Sequence, residues 1–155
     1  MNDQLIQLNA EYAAALDDDR LEDWPSFFTE RCFYRVTTID NYRQGMQAGL
    51  IYADSRDMLA DRILSLRKAN VYEFHRYRHV VGVPRILGND AQGGGTMRVS
   101  TGFVVIRISR QGQYEVFASG QYLDEVVTES GKLLLKRRDV VCDSSRIDTL
   151  LAIPL

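Results

Sequence analysis

Metal-ligating side chains are scarce in this sequence. Its 155 residues include two cysteines, Cys32 and Cys142, and two histidines, His75 and His79. The thiols are far apart and neither sits in a C-x-x-C pair, so a four-thiolate zinc or iron–sulfur site is excluded. Both are expected to be reduced and buried, because a domain of this size needs no disulfide. The run His75-Arg76-Tyr77-Arg78-His79 puts both imidazoles on one face of a helix or strand. It supplies neither a third ligand nor the Glu of a metalloprotease helix, and its arginines repel a cation. Hydrogen bonding inside the fold, or at a subunit contact, is the expected role.

Long apolar runs are also missing. The longest are about six residues, such as 150–155, whereas a membrane helix needs about 20. The opening Met-Asn-Asp-Gln-Leu has no basic region, so no signal peptide is expected and the protein reads as soluble and cytoplasmic. There is no excess of one charge: Lys plus Arg is 19, Asp plus Glu is 21, and the net charge is -2. Nucleic acid is therefore not an expected partner. Gly93-Gly94-Gly95 lies between strand patterns with no helix after it, so it reads as a hairpin loop and not a phosphate cradle. No G-x-S-x-G elbow occurs, and nothing marks Ser144-Ser145 as nucleophilic.

The composition that remains is 45% apolar and 26% charged, which fits one globular domain over residues 1–155. Leu5, Leu8, Tyr12 and Leu16 form a helical stripe. Asp17-Asp18-Asp19 breaks it and can cap a second, short helix with Leu21, Trp24, Phe27 and Phe28 inward, provided Pro25 lies in its first turn. Residues 32–38 read as a strand and residues 39–53 as a long loop. Asp54 or Ser55 can cap a third helix carrying Leu59, Ile63 and Leu66. From His79 onward the period becomes two, with turns at Arg110-Gln111-Gly112-Gln113 and Glu129-Ser130-Gly131-Lys132. These turns are too short for crossover helices, so the sheet is expected to be antiparallel, with bends at Gly102 and Gly120. Three helices before a long meander predict an α+β fold, a cone of helices packed on a curved, mainly antiparallel sheet.

A cone can hold a pocket for acid–base work, and Tyr34, Asp40 and His79 are the candidates for an isomerase-like or dehydratase-like enzyme. Two stretches read instead as contact surface. One is Lys136-Arg137-Arg138-Asp139, with Arg76 and Arg78 upstream. The other is the apolar tail at 150–155, which must pack on this domain or on a partner because its exposure is costly.

Several pieces carry a family resemblance in order and spacing: Trp24 with Phe27-Phe28-Thr29-Glu30; Asp54 to Leu59 through Arg62 and Leu66; Arg78-His79-Val80-Val81; Ser100-Thr101-Gly102-Phe103; Gly120-Gln121-Tyr122-Leu123-Asp124; and Arg137-Arg138-Asp139-Val140-Val141-Cys142-Asp143. With the ending Ile153-Pro154-Leu155, the chain resembles the small (beta) subunit of Rieske-type aromatic-ring-hydroxylating dioxygenases. The loop at Asn41-Tyr42-Arg43 matches only loosely, and the chain is shorter than many members, as in salicylate-, anthranilate- and benzoate-type oxygenases. The resemblance implies a cystatin-like, nuclear-transport-factor-like cone and an aromatic acid as substrate of the complex. It implies three large and three small subunits, with the small ones as a trimer. The Rieske [2Fe–2S] cluster and the mononuclear iron are then expected in the large subunit, fed by electrons from NAD(P)H.

The ligand inventory agrees with that division. A Rieske cluster takes two Cys and two His, and a mononuclear iron two more His and a carboxylate. Two histidines cannot serve both. The chain is therefore expected to be a non-catalytic subunit with no cofactor of its own, supporting assembly. Arg78, His79, Arg137, Arg138 and Asp139 are the expected contact residues, since a guanidinium fork can make two bonds to one carboxylate.

Overall fold

The computed structural model describes residues 2–46, 49, 51–69, 75–89, 95–144 and 154–155. Helix α1 (Asn2–Asp17) buries the expected stripe of Leu5, Leu8, Tyr12 and Leu16. It ends in the acidic triplet, where Asp19 takes a left-handed backbone (φ 60°) that aspartate tolerates. A 3-10 helix (Leu21–Phe27) follows, with Pro25 inside it, and turns Leu21 and Trp24 inward. Trp24 meets Phe28 and Tyr34 edge-on, with ring centroids 5.7 and 5.0 Å apart.

Strand β1 (Phe28–Thr38) begins before its β-branched stretch. The expected loop after it holds two short elements. Helix α2 (Ile39–Arg43) is capped by Thr38 Oγ1, which accepts from the Asn41 N–H at 3.2 Å, and β2 is Ile51–Ala53. Helix α3 (Arg56–Ala69) is capped by Ser55, whose Oγ accepts from the Met58 N–H at 3.1 Å. It buries Leu59 and Ile63.

The remaining strands are β3 (His75–Val81), β4 (Arg85–Asn89), β5 (Met97–Ser109), β6 (Tyr114–Glu129) and β7 (Lys132–Cys142). The order across the sheet is β2-β1-β7-β6-β5-β3, and β4 also pairs with β5. Both expected turns form. Gly112 has φ 84°, and Ser130 and Gly131 are consecutive left-handed residues, as tight hairpins require.

One pairing departs from the antiparallel expectation: β1 runs parallel to β7. Short turns dictate the direction only of strands that they join. Arg35 and Asp139 are neighbours 104 positions apart, and the chain between them serves as the crossover. The pairing of the long strands is irregular at Val105/Ile106 and Glu125/Val126, where the register shifts. Helix α1 packs on β3 and β7, and the 3-10 helix and α3 pack on β1. A single cluster from Leu5 to Leu155 fills the cone. No helix among the described residues is long and apolar enough to cross a membrane.

Candidate functional site

Side chains alternate between the two faces of a strand, so the consecutive residues Arg138 and Asp139 part company. Arg138 enters the cone and is fully enclosed. Its Nε and Nη2 donate to the two carboxylate oxygens of Asp124, both at 2.8 Å, and Nη2 also donates to Asn9 Oδ1 at 2.7 Å. The guanidinium carbon lies 4.3 Å from the Tyr12 ring centroid and 3.9 Å from that of Tyr122. Burial alone would drive Arg138 toward its neutral form; the Asp124 carboxylate outweighs this and holds its pKa above the ordinary arginine value.

Asp139 faces the other way and is buried under α2. It accepts from Arg35 Nε and Arg137 Nε, each at 2.8 Å, and Arg35 Nη1 donates to the Met46 carbonyl at 2.9 Å. The Arg137 guanidinium lies 4.1 Å from the Phe33 ring centroid. At the sheet edge, Asp17 at the end of α1 accepts from the His79 N–H at 2.8 Å and lies 2.6 Å from His79 Nδ1. Arg78 is two-thirds exposed beside it.

The interior of the cone is occupied. Leu155 is buried, and its main-chain oxygen accepts from the hydroxyls of Tyr12 (2.8 Å) and Tyr34 (3.0 Å). Its N–H donates to the Tyr34 oxygen at 3.2 Å. Burial raises the pKa of Tyr12, Tyr34 and Tyr122 alike, so these phenols stay protonated. Arg138 and Asp124 are paired with each other, so Asp124 is not a free base.

The family model for the ring hydroxylating beta subunit matches residues 11–149. This chain belongs to the ring-hydroxylating beta subunits. It is 53% identical over 152 residues to the beta 1 subunit of the terminal oxygenase component of terephthalate 1,2-dioxygenase from Comamonas sp, covering 98% of this chain and 97% of the relative. The small subunit of anthranilate 1,2-dioxygenase from Burkholderia cepacia is 38% identical, with coverage of 98% and 92%. Among solved structures, a beta subunit assigned to an aromatic-ring-hydroxylating dioxygenase of Novosphingobium aromaticivorans superposes with a TM-score of 0.90 at 37% identity, covering 99% of this chain and 96% of that one.

In this beta subunit the three residues expected to share a catalytic pocket do not converge. Tyr34 is bound to Leu155 inside the cone, Asp40 is exposed on α2, and His79 lies on edge strand β3, with three strands between it and β1. The five expected contact residues divide as well. Arg78 is exposed and Arg137 is partly so, while His79 and Asp139 are held within the chain. A fully enclosed Arg138 side chain cannot reach another subunit, so that expectation gives way to an internal role. Sequence reasoning missed Asn9, Asp17 and Arg35, whose partners lie 62 to 129 positions away, and Asp124, which pairs with Arg138 14 positions away across the β6–β7 hairpin. Of these only Asp124 carried a signal, as a lone carboxylate on the inward face of an apolar alternation.

The donors of the beta subunit do not fit a Rieske cluster or a mononuclear iron. Cys142 lies beside Thr38 on β1, six residues along from Cys32 or ~20 Å at strand rise, so one iron cannot be gripped by both. Burial pushes the Cys32 thiol up to about 11 and the Cys142 thiol up to about 12, away from the thiolate a metal takes. His79 is engaged by Asp17 through Nδ1. Among the described residues no three His, Cys, Asp or Glu side chains cluster.

The raised thiols predict how stability depends on pH. Their folded pKa values lie above the ordinary 9.0, so the unfolded chain ionises first. Stability is then complete below about pH 9 and falls as the pH climbs toward 11 and 12. Urea unfolding should show a lower midpoint at about pH 10.5 than at about pH 8. At about pH 8 the folded chain should resist iodoacetamide. Alkylation of both thiols at the free-thiol rate would contradict their burial.

Proposed function

We propose that this chain is the non-catalytic small subunit of an oxygenase component that hydroxylates an aromatic carboxylate, and that its work is to assemble and stabilise the large subunit. The observation that carries this reading is the filled cone: Leu155 is buried within it, hydrogen-bonded to Tyr12 and Tyr34. The relatives act, by their names, on terephthalate and anthranilate, both aromatic carboxylates. We place the Rieske cluster and the mononuclear iron in the large subunit, since the donors here suit neither. The expected assembly is a hexamer of three large and three small subunits, with the small ones trimeric, in the cytoplasm where NAD(P)H supplies electrons.

The outer sheet face supports a role in contacts. Val80, Tyr114 and Val116 are exposed there, on strands that also carry Arg76 and Arg78 outward. An apolar face rimmed by arginines suits a subunit contact. Arg78 and Arg137 remain the residues assigned to it.

Co-expression with a large subunit of a ring-hydroxylating oxygenase from the same source tests the proposal. The two chains should elute together on size exclusion and hydroxylate terephthalate or anthranilate when supplied with electrons, and neither chain alone should do so. A large subunit that assembles and turns over fully without this chain would remove the assembly role. Turnover by the purified small subunit would remove the non-catalytic one.

A further inference from the structure

The cone interior carries more polar hardware than a filled core needs. Trp24 and Tyr122 are fully buried, yet the indole N–H and the Tyr122 hydroxyl have no hydrogen-bond partner among the described residues. The Trp24 N–H approaches the Tyr12 hydroxyl and helps hold down its pKa without the geometry of a hydrogen bond. Tyr12 and Tyr122 meet edge-on with centroids 6.0 Å apart, and Trp24 and Tyr34 with centroids 5.0 Å apart. Three phenols and one indole donor thus gather beside the buried Asp124–Arg138 pair, whose guanidinium lies over Tyr12 and Tyr122. A buried donor without a partner is uncommon in a native fold and calls for a physical explanation. The one group they do hold is the main chain of Leu155: its oxygen takes the hydroxyls of Tyr12 and Tyr34, its N–H gives to the same Tyr34 oxygen, and the residue is 1% exposed.

We infer that the interior of the cone is a ligand site occupied by the chain's own Leu155, able to take in its place a small carboxylate or carbonyl compound with an adjacent N–H and a branched aliphatic body. Tyr12 and Tyr34 are the binding donors to the oxygen, and the Tyr34 oxygen accepts the N–H. Trp24 and Tyr122 are the walls. The site goes beyond the assembly role, and its test uses this chain alone, so either reading can fail without the other.

The single tryptophan of the sequence reports on the chamber directly. Shortening the chain to end at Ile153 should shift Trp24 emission to the red and open it to acrylamide quenching. N-acetylleucine, which carries the oxygen, the N–H and the isobutyl group of Leu155, should then reverse both changes saturably. N-acetylglycine, which lacks the isobutyl group, should not. The full chain should show neither effect at the same concentrations. If the shortened chain fails to fold, Leu155→Ala keeps the backbone and weakens the plug. N-acetylleucine should protect Trp24 in that variant at concentrations that leave the parent unchanged, and Tyr34→Phe in the same background should abolish the protection. Unchanged emission and quenching in both altered chains would overturn the inference, as would opened chains on which N-acetylleucine has no saturable effect.

Discussion

Replacing Arg138 by Met should destabilise the chain by about 3–5 kcal/mol, the usual cost of stripping one partner from a buried ion pair. Both side chains of this pair are essentially unexposed, 0% for Arg138 and 2% for Asp124, so solvent does not screen the loss. The substitution leaves Asp124 ionised or protonated inside the cone without its two donors, deprives Asn9 Oδ1 of its partner, and removes the cation lying over Tyr12 and Tyr122. Against a total stability of about 5–15 kcal/mol, that is a large share of what holds the fold. Removing both charges, in Arg138→Met with Asp124→Leu, should restore most of the loss, because no uncompensated charge remains. Urea unfolding of the parent, the two single variants and the double variant forms a double-mutant cycle that isolates the pair. A single variant within about 1 kcal/mol of the parent would show that the pair is not the buried, dry contact described here.

That expectation also separates two meanings of lost assembly. The run Lys136-Arg137-Arg138-Asp139 reads along the sequence as one charged surface. In the strand it is divided: Arg137 and Asp139 lie on the outer face with Arg35 and Phe33, and Arg138 lies inside with Asp124. The period of two that buries Val99, Phe103 and Val105 applies equally to charges. Light scattering on Arg138→Met would report a smaller complex because the subunit unfolds, not because a contact is lost. Arg78→Ala, at a side chain two-thirds exposed, is the variant that probes contact without touching the core.

What the sequence shows plainly is local. The stripe of α1, the Ser55 cap of α3 and the two hairpin turns all follow from spacing and backbone preference within a few residues. What it hides depends on distant partners. The parallel pairing of β1 with β7 has no signal in either strand alone, and it is this pairing that sets Tyr34 beside Arg138 and Arg35 beside Asp139. The short elements α2 and β2 lack the length for a period to show, so the stretch containing them reads as loop. Resemblance of ordered motifs reached the family where local chemistry could not, because a subunit without cofactor ligands has no motif of its own to display. Of the apolar tail expected to pack, residues 150–153 lie outside the described residues, and Pro154 and Leu155 are buried. That Leu155 packs inside the cone, on two tyrosines from α1 and β1, needed coordinates.

The two glycines of the long strands carry the second large expectation. They look alike in sequence, each breaking an apolar alternation in the middle of a strand, and the structure sets them apart. A Cβ on Gly120 would stand 2.0 Å from the Val141 carbonyl oxygen and 2.9 Å from the Cys142 Cα, both backbone atoms of the neighbouring strand β7. No rotamer relieves that contact; β6 and β7 must separate along a pairing that spans ten partner positions from Gly120↔Cys142 to Glu129↔Lys132. A Cβ on Gly102 meets nothing nearer than the Gly120 carbonyl oxygen at 3.9 Å, which is ordinary contact. Gly120→Ala should therefore cost more than about 4 kcal/mol, in the range reserved for changes the core cannot absorb. Gly102→Ala should be neutral or stabilising by about 0.4–1 kcal/mol, since its backbone is not left-handed and the unfolded chain loses freedom. Measured side by side by thermal unfolding, the two substitutions should move the midpoint in opposite directions or, at the least, differ by several kcal/mol. Equal effects would mean that β6 and β7 are not in the close register on which the Asp124–Arg138 pair, directly across the same two strands, also depends.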